Sequence, residues 1–220
     1  MGIDTSKTRE MKNKGLNYPN ERLKYAGIVG TGGIGSGMFF QLNGSQTLGR
    51  EESRSGHFLD VRDYCKQHII LHYVKTLLGP SFQVVPIGLV GDDDIGRNLL
   101  KEMHDTGFIM DHVEKASHLS TLFSFCFYYP DGSGGNLTTD NSASAKVDAD
   151  LIEKARTEIN RLGSRGIILA VPEVPLSARN RLLEIGKENH LFCAASFTSE
   201  ELPQVLESGM LSSVDLLAIN

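Results

Sequence analysis

From Asp148 onward the chain alternates helix and strand at nearly regular intervals, and this rhythm restricts the fold more than any other feature. Ala149 to Leu162 has helical spacing, Gly166 to Val171 is an apolar strand, and Pro175 to Glu188 is a second helix. Leu191 to Ala195 is a strand, Ser199 to Ser208 a helix and Val214 to Ile219 a strand. Strands separated by helices of this length cannot pair as hairpins, so they lie parallel, and a parallel sheet needs helices on its faces. Upstream, Ala26 to Val29 and Gln83 to Leu89 are further apolar runs of strand length. Val61, Cys65, His68, Ile69, His72, Tyr73 and Leu77 recur at helical spacing. They predict a helix from Val61 to Leu78, ended by Gly79-Pro80. The expected class is α/β, a parallel sheet flanked by helices.

Two segments break this rhythm. Thr121 to Tyr129 is rich in β-branched and aromatic residues and closes at the turn Pro130-Asp131-Gly132. Met38 to Leu42 is a short apolar run that ends at Asn43-Gly44, a turn signal. A length of 220 residues with 40% hydrophobic content suits one domain, or one domain with a small lid. Met1 to Lys24 is polar, without an apolar period, and reads as an extension. The net charge of -5 gives no basis for a nucleic-acid partner or an anionic membrane. No apolar run reaches membrane-spanning length. Cys65, Cys126 and Cys193 are odd in number, far apart and set in apolar contexts. They read as reduced thiols, which points to a cytoplasmic protein.

Gly30-Thr31-Gly32-Gly33-Ile34-Gly35 follows a strand and satisfies G-x-G-x-x-G, the dinucleotide fingerprint. That fingerprint needs a helix at its end to receive a pyrophosphate. Here Ser36-Gly37, a five-residue run with four apolar side chains and an Asn-Gly turn follow instead, so a dinucleotide-binding domain is the minor alternative. Pro86 to Gly96 is an apolar strand running into a Gly-Asp turn, with Asp92, Asp93 and Asp94 where a helix start favours carboxylates. The helix, Arg97 to Thr106, stops at Gly107. His68 and His72 share a helix face, but Ile69, Ile70 and Leu71 lie between them, so they read as packing residues rather than metal ligands. Asn136, Thr138, Thr139, Asp140, Asn141 and Ser142 form a polar cluster after two glycines. It fits a solvent-facing turn or a lid edge that hydrogen-bonds a polyol or nucleoside equally well.

The Gly91 to Gly96 turn resembles the G-x-D-x-x-G turn of the ribokinase, or PfkB, carbohydrate kinase family. In that resemblance Gly30 to Gly35 stands at the family's G-S-x-N-x-D turn, with Gly33 in the place of the Asn and Gly35 in the place of the substrate-hydroxyl Asp. Ser55 to Asp60 has the spacing of the family's G-G-x-x-x-N helix start, with Gly56 as its second Gly and Asp60 in place of the Asn. A carboxylate there still accepts hydrogen bonds from hydroxyls but cannot donate as an amide does. Ser120 to Tyr129 and Gly134 to Thr138 look like the family's lid strands, and Val214 to Asn220 like its x-D-l-l-x-x-N strand.

The resemblance implies a ribokinase-like domain over residues 25–220, with lid segments at about 30–46 and 121–139. It implies transfer of the γ-phosphoryl of ATP, with Mg²⁺, to a hydroxymethyl group of a sugar or nucleoside. Gly33, Gly35, Gly56, Asp60 and Asn136 become the substrate-side residues and Asn220 the nucleotide-side one. The family's metal-facing Glu and its D-T-x-G-A-G-D segment, with the general base and anion hole, have no match in the 220 residues. Phosphoryl transfer rests on positioning and charge stabilisation. The chain is therefore expected to be the N-terminal two-thirds of such a kinase, inactive alone and binding neither nucleotide nor metal tightly. No catalytic residue or metal ligand is assigned within it. The alternative is a non-catalytic carbohydrate-binding, nucleoside-binding or oligomerising module. A homodimer through the lid strands is expected, and Leu216, Leu217 and Ile219 are expected to form an apolar, association-prone edge.

Overall fold

A computed structural model describes residues 23–219. Most of the Met1 to Lys24 extension, and Asn220, lie outside the described residues. At the centre is β1 (Gly27–Thr31), buried at all five positions. It pairs on one side with β4 (Gln83–Gly91) and on the other with β8 (Gly166–Ala170). Beyond β8 lie β9 (Phe192–Phe197) and β10 (Leu216–Ile219), and beyond β4 lies β5 (Val113–Ala116). The order is β10-β9-β8-β1-β4-β5 and every pairing is parallel. Pro86 sits inside β4 without breaking the sheet. Gly88 N–H donates to His112 O, so the donor Pro86 lacks would point to the same side, before β5 begins at Val113.

Side chains alternate across the sheet, and each face has its own core. Ile28 and Val84 pack with Leu71 of α1 (Lys66–Leu78) and with Leu99 and Met103 of α2 (Asp94–Asp105). Val29, Val85 and Ile87 pack on the opposite face. Their partners there include Ile152 of α3 (Ala149–Lys154), Ile159 of α4 (Arg156–Leu162) and Leu182 of α5 (Leu176–Glu188). Val205 of α6 (Leu202–Glu207) completes this layer. The single helix expected from Ala149 to Leu162 is two, divided at Ala155.

The lid is a separate sheet of β2 (Gly35–Leu42), β3 (Gly56–Tyr64), β6 (Leu122–Tyr128) and β7 (Gly134–Thr138), in the order β3-β2-β6-β7. Its β3 strand corrects the expected helix from Val61. Residues 61–64 are extended and paired with β2, and α1 starts only after Cys65. The open edge of β2 outweighed local helical spacing, as tertiary pairing commonly does. Because β2, and no helix, follows Gly30 to Gly35, the dinucleotide arrangement is not formed. The glycines serve strand contact instead: a Cβ on Gly35 would lie 2.9 Å from Cys65 Sγ. Register divides the lid into two faces. Met38, Phe125 and Leu137 line up on the outer face, with the Phe40 and Phe58 rings against Phe125. Ser124, Cys126, Asn136 and Thr138 occupy the inner face.

Asp93 joins the lid to the core. As the N-cap of α2 it accepts from Gly96 N–H at 2.8 Å, and it also accepts from Thr121 N–H and Thr121 Oγ1, each at 2.7 Å. Thr121 Oγ1 in turn accepts from Gly91 N–H at 2.9 Å. Gly91 and Gly96 leave the space: a Cβ on Gly96 would stand 2.7 Å from Thr121 Oγ1. Burial works to raise the Asp93 pKa, but its bonds from Gly96 and Thr121 outweigh that and hold it below the usual carboxylate value. Its stabilisation is therefore present above the unfolded-state pKa and is lost as pH falls through the folded one. Asp93→Ala is expected to cost about 2 kcal/mol in urea unfolding at pH 7, and the gap to wild type should shrink toward pH 3. An unchanged midpoint would contradict this role. At the opposite edge, Leu216, Leu217 and Ile219 are exposed on β10. The 220-residue chain should self-associate in sedimentation velocity, and Leu216→Lys with Ile219→Lys should reduce this. A dispersed wild-type monomer with a sharp unfolding transition would contradict it.

Candidate functional site

The C-terminal ends of β1, β8 and β9 open beneath the inner face of the lid, the usual place for a ligand in a parallel α/β sheet. The cleft there has a volume of about 840 Å³. Asn136 and Thr138 of β7 form its roof, Lys66 at the start of α1 one wall, and Glu173 and Thr198, which follow β8 and β9, the floor. Ser142, only 1% exposed, lines it beside the lid, and its Oγ has no hydrogen-bond partner.

Glu173 is the most unusual residue in the cleft. Its φ is +79°, in the left-handed region that a non-glycine residue seldom adopts. Its carboxylate lies close enough to Cys65 and Lys66, at the start of α1, for both to act on its pKa, and α1 has no side-chain cap of its own. Oε2 is enclosed and unpartnered. Gly33 makes room for it, since a Cβ there would lie 2.6 Å from Glu173 Cβ. Burial, with a smaller repulsion from Asp63, pushes the Glu173 pKa up although Cys65 and Lys66 act against the shift. Burial likewise pushes the Cys65 thiol far up, so it is not a nucleophile. The Cys126 thiol, which donates to Asp63, is pushed up to about 12, by burial first.

The sequence-assigned residues do not all meet here. Gly33 borders the cleft through Glu173 and Gly35 through Leu122, while Asn136 lines it directly. Gly56 and Asp60 do not form a helix start; both lie on β3. Gly56 lets the β2 backbone and Phe40 approach, and Asp60 lines a different groove of about 590 Å³, between the lid and α2. The G-G-x-x-x-N assignment to Ser55 to Asp60 is thus corrected: the helix it should open begins six residues later, at Lys66. In its first turn stands Gln67, fully buried, donating to Gly30 O at 2.9 Å and Ile87 O at 3.4 Å, with Oε1 unpartnered. Asn220 lies outside the described residues. Glu173, Lys66 and Gln67 were not foreseen, whereas Ser142 belongs to the polar run that follows Gly134 and Gly135. A lone acid in Pro172-Glu173-Val174-Pro175, just past an apolar strand of a parallel sheet, was a readable signal for the first.

A second cavity, about 820 Å³, lies outside the cleft against α1 and α2. Tyr64, His68 and His72 stack beside it, with ring centroids 4.6 and 4.1 Å apart in succession, and Phe108 meets His72 at a tilt, 4.7 Å away. Burial, then repulsion from His72, lowers the His68 pKa to about 3, so it packs as a neutral ring. Among the described residues no group of three or more His, Cys, Asp or Glu is arranged to hold a metal ion. No helix among them is long and apolar enough to cross a membrane.

No family model matches the chain, and no curated protein matches it. Solved structures do. Ribokinase from Giardia lamblia is similar at a TM-score of 0.72 and 15% identity, over 89% of this chain and 58% of that one. Ribokinase from Thermotoga maritima is similar at 0.65 and 16%, over 89% and 60%. A Burkholderia thailandensis nucleoside kinase in complex with inosine is similar at 0.66 and 12%, over 88% and 60%. The chain thus has a partial ribokinase-like fold, that of ribokinases and PfkB carbohydrate kinases. It spans about 60% of the length of these structures.

The raised pKa of Glu173 has a consequence for stability. A carboxyl whose pKa is higher in the folded state favours folding at low pH, and that contribution is lost as pH rises through the folded value. Glu173→Gln removes the buried charge while its amide oxygen still accepts a bond. It should stabilise the chain at pH 7 and flatten the slope of stability above pH 4.5. Destabilisation at pH 7 would show instead that the carboxylate serves as the cap of α1.

Proposed function

We propose that this chain is the acceptor-binding part of an ATP-dependent sugar or nucleoside kinase. In the complete protein, ATP and Mg²⁺ would supply the phosphoryl group and its charge neutralisation. The observation that carries this reading is the pair of enclosed, unpartnered oxygens, Glu173 Oε2 and Ser142 Oγ, in a cleft roofed by Asn136. A hydroxyl-rich ligand would satisfy both, and buried polar atoms are rarely left unmatched. Glu173 would accept from substrate hydroxyls in place of the side chains that Gly33 and Gly35 lack. No general base for the accepting hydroxyl is assigned within the 220 residues, so the chain should bind acceptor without turning over ATP. Asn220 is kept as the nucleotide-side candidate. With its cysteines unpaired, the protein is proposed to work in the cytoplasm.

The outer lid face favours the second reading, a binding or oligomerising module. Phe58, Met38 and Leu137 are 59%, 47% and 64% exposed there, an area that a second copy would cover. The homodimer through the lid belongs to both readings. Calorimetric titration with D-ribose and inosine, alongside an ATPase assay, tests the proposal. Saturable binding without ATP hydrolysis is expected, and Glu173→Ala should weaken it by about tenfold or more. Absence of binding by either ligand would overturn the proposal. ATP turnover by this chain would overturn its non-catalytic part.

A further inference from the structure

The cavity beside α1 and α2 combines a wall of rings with a charge that has no partner. It shares no lining residue with the cleft under the lid, and its volume of about 820 Å³ suits a small organic molecule. Tyr64, His68 and His72 are nearly parallel, with interplanar angles of 11° and 16°. Phe39 of the lid and Tyr73 of α1 border the same space. Tyr73 is 65% exposed and makes no ring contact among the described residues, so its faces are open.

Three carboxylates and one guanidinium line the cavity. Glu102 is paired with Arg62 at 2.9 Å and also accepts from the Tyr64 hydroxyl. Asp105 is paired with Lys101. Asp63 differs from both. It accepts from Ser124 Oγ at 2.6 Å, the Cys126 thiol at 3.3 Å and the Tyr64 N–H at 2.9 Å, all neutral donors. It has no ion pair among the described residues. His68 supplies a second unused acceptor. Its Nε2 stands 3.9 Å from Glu102 Oε2, which draws the ring proton to that nitrogen and leaves the enclosed Nδ1 without a partner. Burial lowers the pKa of both His68 and His72, so at neutral pH neither ring adds positive charge to the wall.

We propose that this cavity is a second ligand site, separate from the cleft, and that it takes a protonated aromatic amine. The rings of the ligand would pack on Tyr73, Phe39 and the edge of the Tyr64–His68–His72 stack. Its ammonium group would supply the counter-charge that Asp63 lacks, and aromatic faces attract a cation as well. A neutral analogue gains the packing without the charge. An anion meets three carboxylates and an arginine already held by Glu102.

The chain contains no tryptophan, so the fluorescence of an indole probe reads the ligand alone. The test is an anisotropy titration of the 220-residue chain with tryptamine, its neutral analogue tryptophol and its anionic analogue indole-3-propionate, at low and high salt. Tryptamine should bind at least about tenfold more tightly than tryptophol, indole-3-propionate should bind more weakly still, and salt should narrow the spread. Asp63→Asn keeps an acceptor for Ser124 and should weaken tryptamine by about tenfold while leaving tryptophol within about twofold. Tyr73→Ala, at an exposed position whose loss the fold tolerates, should weaken tryptamine by about threefold and decides the matter if Asp63→Asn fails to fold. Saturating inosine should leave tryptamine bound. Equal affinity for the three probes, tightest binding of the anion, absence of tryptamine binding, or no effect of Tyr73→Ala would each overturn the proposal. Displacement by inosine would overturn it too, by putting the amine in the cleft under the lid.

Discussion

One carboxylate holds the two parts of this molecule in register. Asp93 takes an N–H from the first turn of α2 and both a backbone and a side-chain donor from Thr121, where the chain enters the lid. Thr121 closes the circuit by accepting from Gly91 at the end of β4. A strand end, a helix start and a lid strand therefore meet around one side chain. Each of the three bonds to Asp93 has an ionised acceptor, which strengthens it over a neutral pair. The position of the lid over the sheet follows, and the cleft exists because that position is fixed.

The same geometry separates two uses of glycine. Gly91 and Gly96 allow the Asp93 knot to close. Gly33 and Gly35 instead allow groups from elsewhere in the chain, Glu173 and Cys65, to stand where side chains of the first turn would project. The polar chemistry of the cleft thus comes from the loop after β8 and the segment after the lid rather than from the turn after β1. Strain at Glu173, an enclosed oxygen and a raised pKa coincide at one residue, and such coincidences mark binding sites more often than packing sites.

Much of the fold was legible in the sequence. The strands from Gly166 onward and the turn at Asp93 are encoded locally, by apolar runs, helix spacing and capping residues, and they stand where local signals put them. The failures share a physical cause. Residues 61–64 carry helical spacing, yet they pair with β2, a partner distant in sequence. That error also displaced the helix start, and with it Gly56 and Asp60, from the site. β5 was unforeseen because four residues reading Val-Glu-Lys-Ala take their strand character from the open edge of β4. Within the site, Asn136 was found because it follows two glycines in a polar run. Ser142 stands in the same polar run and Glu173 just past an apolar strand, but what sets both apart is enclosure, a property of the folded chain.

The central claim is that the cleft under the lid, and not the aromatic-lined cavity beside α1 and α2, receives a sugar or nucleoside. Hydrogen–deuterium exchange of the chain with and without saturating inosine addresses it most directly. The account predicts slowed exchange in residues 32–37, 136–142 and 172–175, with little change around His72 and Thr106. Protection confined to the α1 and α2 surface, or none at any segment, would contradict it.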